Sequence, residues 1–509
     1  MLPKRVLDIG PSDGSVIKLY ETVSGEIGKY AALSHCWGKS SIPTTCQENF
    51  HNRLSSIKWD DLTKVFQDAI TVARMFEIPY LWIDSLCIIQ DSGPDWDTES
   101  FKMGSYYSNA YVTISSASAP DGGHRFLADR ETEFLPTKFR LDEYRPDSPT
   151  VYTRLVPGQT EKRSDLFGQI STRAWCWQEN VLSTRVMHFL PSELIWECKG
   201  ELLSECGYRP QNIYAMNLIN SLDNIEADPI AKWHSLIQAY SQRNITKEKD
   251  RLPAVSAVAK YVSGHIRSEY AAGLWASDLP RQLLWEMPMQ RSSDDLRPLP
   301  FENKYPSWSW ASVSGALRLG SATFNGSVKP SSRNIDTSYR ALVPVAQVQK
   351  FSCQPPPENP FGQVDGGYIV VSGEVAHARI ECKDPLIADS YTLKVPAMRK
   401  DKDDFSADCI LESFQFTDPL TGLMTESVRR SRAQKDENDE KKVQRTGFSG
   451  SVYLLIVCLT RMPNGGTYSF DGLVLGACEE ENTYTRIGFF SRAGREFPWR
   501  VQRKVIKIV

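Results

Sequence analysis

The pattern of apolar positions is organised around an almost unbroken run at Tyr80-Leu81-Trp82-Ile83-Asp84-Ser85-Leu86-Cys87-Ile88-Ile89-Gln90-Asp91. Pro79 ends whatever precedes this run, and the turn cluster Asp91-Ser92-Gly93-Pro94 closes it. A run without a polar face predicts a strand covered on both sides by helices. Asp84 is the exception within it. An ionised, unpaired carboxylate there would cost several kcal/mol to bury, so it requires a donor or the rim of a cleft. In open α/β sheets that cleft lies beyond the carboxyl ends of the strands, where Asp84 is expected.

The pattern on either side is alternating. Residues 1–29 read as short strands and turns, and Tyr30–Gly38 as a short strand entering a glycine-terminated loop. Asp60-Asp61 is expected to cap a helix with apolar positions Leu62, Val65, Phe66, Ala69, Ile70, Ala73 and Phe76. With the Tyr80–Asp84 strand this makes a strand–helix–strand unit, expected to be parallel and right-handed. Asp95 is expected to cap a helix ending near Asn109, followed by a strand at Tyr111–Ile114. Residues 128–170 read as an irregular insertion. A helix beginning at Arg173–Glu179 and strands at Arg185–Phe189 and Leu194–Cys198 complete an α/β first domain.

Beyond about residue 206 the period changes. Ile230–Gln242 and Pro253–Ile266 repeat at helical spacing, and Leu279–Trp285 is a third candidate, which predicts a mainly helical middle region at 206–340. Short strands at Tyr368–Val371, Val452–Leu459, Leu473–Ala477 and Tyr484–Phe490 predict a β-rich region over 341–509. The charge-dense stretch Glu426–Arg445 reads as an exposed loop within it.

A chain of 509 residues is too long for one core, and 41% hydrophobic residues with thirteen Trp mark it as globular. A net charge of −3, mixed in sign, calls for neither nucleic acid nor an anionic membrane. Met1–Arg5 leads into no apolar segment of the secretory type, and the apolar run Val452–Leu459 is too short to span a bilayer. Eleven cysteines without a Cys-x-x-Cys, and seven His at no ligand spacing, predict reduced thiols, a cytoplasmic setting and no metal.

Three stretches resemble one family. Tyr30–Gly38, containing Ser34-His35-Cys36-Trp37-Gly38, is similar to its first signature, and Tyr80–Asp91 to its second. Trp96, Glu99, Met103, Tyr107 and Ala110 match the helix that follows. Arg173–Glu179 with Leu182-Ser183 and Arg185 resembles its third signature. On these motifs residues 1–205 (core 30–190) are identified as a member of the fungal heterokaryon-incompatibility (HET) domain family. Tyr270–Trp275 and Pro306–Trp310 also resemble long members of it. The resemblance implies self/non-self recognition and programmed cell death. It also implies a TIR-like, flavodoxin-like parallel sheet with flanking helices. Some TIR domains cleave NAD with the Glu of a Trp-Cys-x-x-Glu stretch, which is similar to Trp175-Cys176-Trp177-Gln178-Glu179 here.

The candidate residues follow from both lines. Glu179 would face an oxocarbenium-like centre in N-glycosidic cleavage of NAD, the implied substrate; equally, it suits an ion pair with Arg173 or Arg185. Asp84 is a hydroxyl or cation acceptor, or else the partner of loop amides or Arg173. Ser34, Trp37, Gly38, Arg173 and Trp175 are the candidate nucleotide-binding residues, with Ser34 offering a hydroxyl or amide to phosphate and Trp37 and Gly38 alternatively shaping the loop. A thiol nucleophile at Cys36 or Cys87 with His35 or His124 is a further reading, set against burial of the cysteines as small apolar groups. Two function classes stay open: a TIR-like NAD glycohydrolase, and a non-enzymatic signalling module that self-associates or docks a protein from an incompatible strain.

Overall fold

The chain builds its first sheet from Arg5–Asp8 (β1), Lys18–Glu21 (β2), Tyr30–Ser34 (β3), Tyr80–Trp82 (β4), Val112–Ser115 (β5), Arg185–Phe189 (β8), Leu194–Cys198 (β9) and Leu202–Ser204 (β10), in the spatial order β10-β9-β8-β5-β3-β4-β1-β2. These come from a computed structural model describing residues 1–11, 16–38, 42–130, 132–140, 145, 148–153, 167–205, 207, 222, 225–287, 305–319, 342–382, 391–394, 404–407, 416–417, 424–425, 448–461, 467–494 and 500–509. By contact the chain divides into two compact units. The first holds Met1–Asn224, Arg243–Thr246 and Pro253–Tyr261, and the second the remainder.

In the first unit the central strands β4, β3, β5 and β8 are parallel neighbours, and the outer pairings are antiparallel. The sheet is therefore mixed, with a parallel middle. β3 is buried at all five positions, as the absence of a polar face in Tyr30-Ala31-Ala32-Leu33-Ser34 requires. Numbered along the chain, the four parallel strands lie in the order second-first-third-fourth. The chain first steps from β3 to β4, then crosses to β5 on the other side. That reversal opens a crevice past the carboxyl ends of β3 and β5, at Ser34 and Ser115.

The helices of this unit are Phe50–Ser55 (α1), Lys64–Met75 (α2), Asp84–Cys87 (α3), Gly93–Asn109 (α4) and Ala174–Leu182 (α5). α2 buries Val65, Phe66, Ala69, Ile70 and Ala73, the face its spacing predicts. Its entry differs from expectation: Thr63 precedes the first turn, and Asp60-Asp61 lies in a separate 3-10 turn at Trp59–Asp61. At α4 the cap is Ser92, whose hydroxyl accepts from the Asp95 amide; Asp95 itself is buried. The apolar run also divides differently. β4 ends at Trp82, and Asp84 opens the single turn α3. Within the expected insertion at 128–170, the described residues form an exposed two-strand ladder, Thr137–Arg140 (β6) with Thr150–Thr153 (β7).

The described middle region is mixed. It contains Pro229–Ser241 (α6), Ser256–Ile266 (α7), the four-residue Leu279–Gln282 (α8), where a longer helix was expected, and the short ladder Tyr270–Ala271 (β11) with Leu274–Trp275 (β12). In the second unit Gly273 carries the aromatic motifs. Its carbonyl accepts from Trp233 Nε1 at 3.0 Å and Trp310 Nε1 at 2.9 Å. Its φ of 99° and the collision a Cβ would make with the Trp310 indole exclude other residues there.

The β-rich end is a sheet of long strands: Tyr368–Cys382 (β15), Phe448–Arg461 (β20), Tyr468–Ala477 (β21), Thr483–Gly494 (β22) and Val501–Ile508 (β23). Pairings run β20-β21-β22-β23-β15 and return from β15 to β20, closing these five strands into a ring. The stretch Glu426–Arg445 lies outside the described residues. Among the described residues no helix is long and apolar enough to cross a membrane.

One buried ion pair ties β1 beneath the apolar run. Arg5 contacts Asp95 and donates from Nε to the Cys87 carbonyl at 2.8 Å. Burial acts to raise the Asp95 carboxyl, but the Ile89 amide, Lys4 and Arg5 outweigh it and hold it below its ordinary value. Arg5→Ala leaves Asp95 without its guanidinium and should cost on the order of 3–5 kcal/mol of first-unit stability in urea unfolding. A loss below about 1 kcal/mol would show that the pair contributes little net stability.

Candidate active site at the carboxyl ends of the parallel strands

Most faces of α5 are buried: Ala174, Cys176, Trp177, Gln178, Glu179, Asn180 and Val181 are all enclosed. A carboxylate on such a helix has no wet side, so it must find donors inside. Glu179, 5% exposed, finds Ser34 at the carboxyl end of β3, whose hydroxyl donates to Oε2 at 2.5 Å. Tyr107 from α4 reaches the same carboxylate and donates to the Leu33 carbonyl at 2.9 Å. Burial pushes the Glu179 carboxyl up to about 7. The Asp84 charge adds to the rise, whereas the Ser34 and Tyr107 hydroxyls and the Arg173 cation oppose it.

Arg173 precedes the first turn of α5 and donates from Nη1 to the His35 carbonyl at 3.4 Å. Burial works against its charge, but Cys176, Cys36 and Glu179 around it outweigh burial and hold the guanidinium protonated. Asp84 lies across the strand ends with its side chain 20% exposed. It accepts from the Ser85 amide at 2.7 Å and from Trp37 Nε1 at 3.0 Å. His35 Nδ1 stands 4.0 Å from Asp84 Oδ1, and the ring packs edge-on against Phe66. Burial lowers the His35 pKa, with Asp84 opposing and Arg173 assisting, so the imidazole is neutral at pH 7.

Of the residues singled out in the sequence, Ser34, Trp37, Asp84, Arg173 and Glu179 gather at this end of the sheet. Asp84 accepts from a neighbouring amide, and Arg173 acts on Glu179 through its charge rather than as the ion-pair partner expected. Arg185 does not reach Glu179; it is exposed and donates to the Tyr111 carbonyl at 3.2 Å. Gly38 and Trp175 face other neighbours. Gly38 adopts φ 68°, and a Cβ there would collide with Asp121, so its role is to let two loops meet. Trp175 is half-buried and packs edge-to-face on Trp96 at 6.2 Å.

Burial disfavours the reactive form of the thiols. Burial raises Cys36 and lifts Cys87 to about 12, and His124 bonds Asp121 at 2.7 Å. Tyr107 was visible in the sequence only as a helix residue, because its partners are distant in the chain. A void of about 20 Å³, lined by Ser34, Ser115, Cys176, Asn180 and His188 among others, lies behind the pair. It has room for water rather than a nucleotide.

Residues 30–179 match the family model described as Heterokaryon incompatibility protein (HET). The chain carries a HET domain. No curated protein and no solved structure matches the chain. The HET match begins on the first residue of β3 and ends on Glu179, which is hydrogen-bonded to Ser34, the last residue of that strand.

Glu179 makes the stability of the HET domain depend on pH. Its folded carboxyl titrates near 7 against 4.5 in the unfolded chain, so between those values the folded state holds a proton that the unfolded state has released. The contribution of Glu179 is most favourable below 4.5, declines as pH rises, and is fully lost above 7. Glu179→Gln should gain on wild type across that window, by on the order of 3 kcal/mol at its upper end. Thermal melts at a series of pH values measure this. Parallel wild-type and variant curves would mean Glu179 titrates normally.

Proposed function

We propose that the HET domain acts in heterokaryon incompatibility by cleaving the N-glycosidic bond of NAD at the Ser34–Glu179 pair. The family match supports the incompatibility role. The observation that carries the chemistry is a buried carboxylate, titrating near 7, at the switch point of the parallel strands. A group balanced there is half ionised at cellular pH, as acid–base and charge-stabilising roles require. The second-first-third-fourth strand order supports the TIR-like reading of the domain.

In this reading the bond between ribose C1′ and the nicotinamide nitrogen breaks, and its electron pair leaves with nicotinamide. The carboxylate of Glu179 stabilises the positive charge that develops on the ribose. Water then adds at C1′ and gives up a proton, leaving ADP-ribose. Ser34 holds the carboxylate in place, and the nearby Tyr107 hydroxyl and Arg173 favour its ionised form. Asp84, the more exposed of the two acids, is placed to accept ribose hydroxyls. The void beside the pair holds about 20 Å³, so the substrate would have to bind outside it.

That small void also favours a second reading, in which the cluster is structural and the HET domain signals by self-association or by docking a partner. Nicotinamide release by purified full-length protein separates the two. Wild type should turn over NAD with a rate rising through pH 7, and Glu179→Gln should lose at least a hundredfold. A wild-type protein that stays inert across protein concentrations, or a Glu179→Gln protein that stays active, would remove the enzymatic reading.

A further inference from the structure

At the opposite, amino-terminal ends of the same strands the surface is concave and one-signed in charge. Two hollows meet there, sharing Ser108 and Thr184. The first, about 530 Å³, is lined by Lys29, Asn109, Tyr111 and Arg185. Lys29 Nζ stands 4.0 Å from the centre of the Tyr111 ring and Arg185 Cζ 5.5 Å from it, so both cations are steadied by one exposed aromatic. The second, about 430 Å³, has an apolar floor of Phe101, Val181, Leu182, Leu222 and Ala257, with Lys102, Lys199 and Lys260 around it.

The floor depends on Gly104, where a Cβ would collide with Ala257, so α4 and the start of α7 close together. Five cations line the two hollows, and among the described lining residues there is no Asp or Glu. Lys102 has a carboxylate nearby, Glu99 at 3.2 Å, set back from the lining. A concave surface this rich in one sign repels its like and attracts anions.

We propose that this groove docks an acidic peptide segment carrying one bulky apolar anchor. The apolar hollow takes the anchor, and the flanking acidic side chains meet the lysines and Arg185. A nucleic acid would need open aromatic faces for successive bases. Here the floor is largely aliphatic, the Phe101 ring lies under Lys260 Nζ at 4.4 Å, and Tyr111 is engaged by Lys29 and Arg185. The groove lies at the strand ends away from Ser34, so docking and the Glu179 chemistry are separable, and either stands if the other fails.

The test is selection of a random-peptide display library on the full-length protein, followed by fluorescence polarisation with the enriched peptide. Enrichment should converge on Asp and Glu around a single bulky apolar position. Affinity should fall with added salt, about tenfold in Lys199→Gln/Lys260→Gln, and further in Lys199→Glu/Lys260→Glu. Both lysines are exposed, so the variants should melt with wild type. Selection without an acidic consensus, or affinity unchanged by charge reversal, overturns the proposal. Tighter binding of an oligothymidylate with the same lysine dependence overturns it in favour of nucleic acid.

Discussion

The hydrogen bond from Ser34 to Glu179 ties the first signature stretch to the third and is the contact on which the cluster turns. It closes a gap of 145 positions in sequence, between the carboxyl end of the central strand and a helix enclosed on most sides. A lone carboxylate in that position would be costly to bury. With Ser34 as donor and the Tyr107 hydroxyl and Arg173 nearby, it is retained with its titration moved to neutrality. Burial, which usually excludes charge, is what moves its titration.

The two acids at the strand ends illustrate how position divides their roles. Asp84 begins a single helical turn, keeps part of its surface wet and accepts a loop amide and an indole. Glu179 sits inside and answers to hydroxyls. Each affects the other, since the Asp84 charge adds to the rise at Glu179. A neutral His35 and the raised thiols of Cys36 and Cys176 make the rest of the cluster weakly charged apart from Arg173. The parallel strands thus carry a buried acidic centre at one end and a cationic groove at the other. In the second unit the motifs Tyr270–Trp275 and Pro306–Trp310 have a packing explanation, because both converge on the carbonyl of Gly273.

Much of this was legible along the chain because local patterns report local burial. The period of Val65–Ala73 marks the inner face of α2, whereas Phe76, expected on that face, is exposed beyond the helix end. The unbroken apolar run at Tyr80 marks a strand with no solvent side, and Arg185–Phe189 and Leu194–Cys198 appear as strands with those bounds. The three signature stretches located the HET domain. What the patterns misplaced were ends and caps: Thr63 and Ser92 precede the helices in place of the acids expected there, and Asp84 belongs to a turn beyond its strand. Ends depend on which group reaches an orphan amide, and several candidates lie within a residue or two of each other.

Residue types and spacing determined the alternation of strands and helices, the apolar faces and the presence of a carboxylate in the second and third signatures. Only the tertiary structure decided that Ser34, Tyr107, Asp84, Arg173 and Glu179 share one crevice, that Arg185 and Trp175 do not join them, and that the long strands of the second unit close into a ring. The reason is physical: periodicity reports which side of an element faces inward, whereas partners far apart in sequence are chosen by strand order and by the donors that buried charges require.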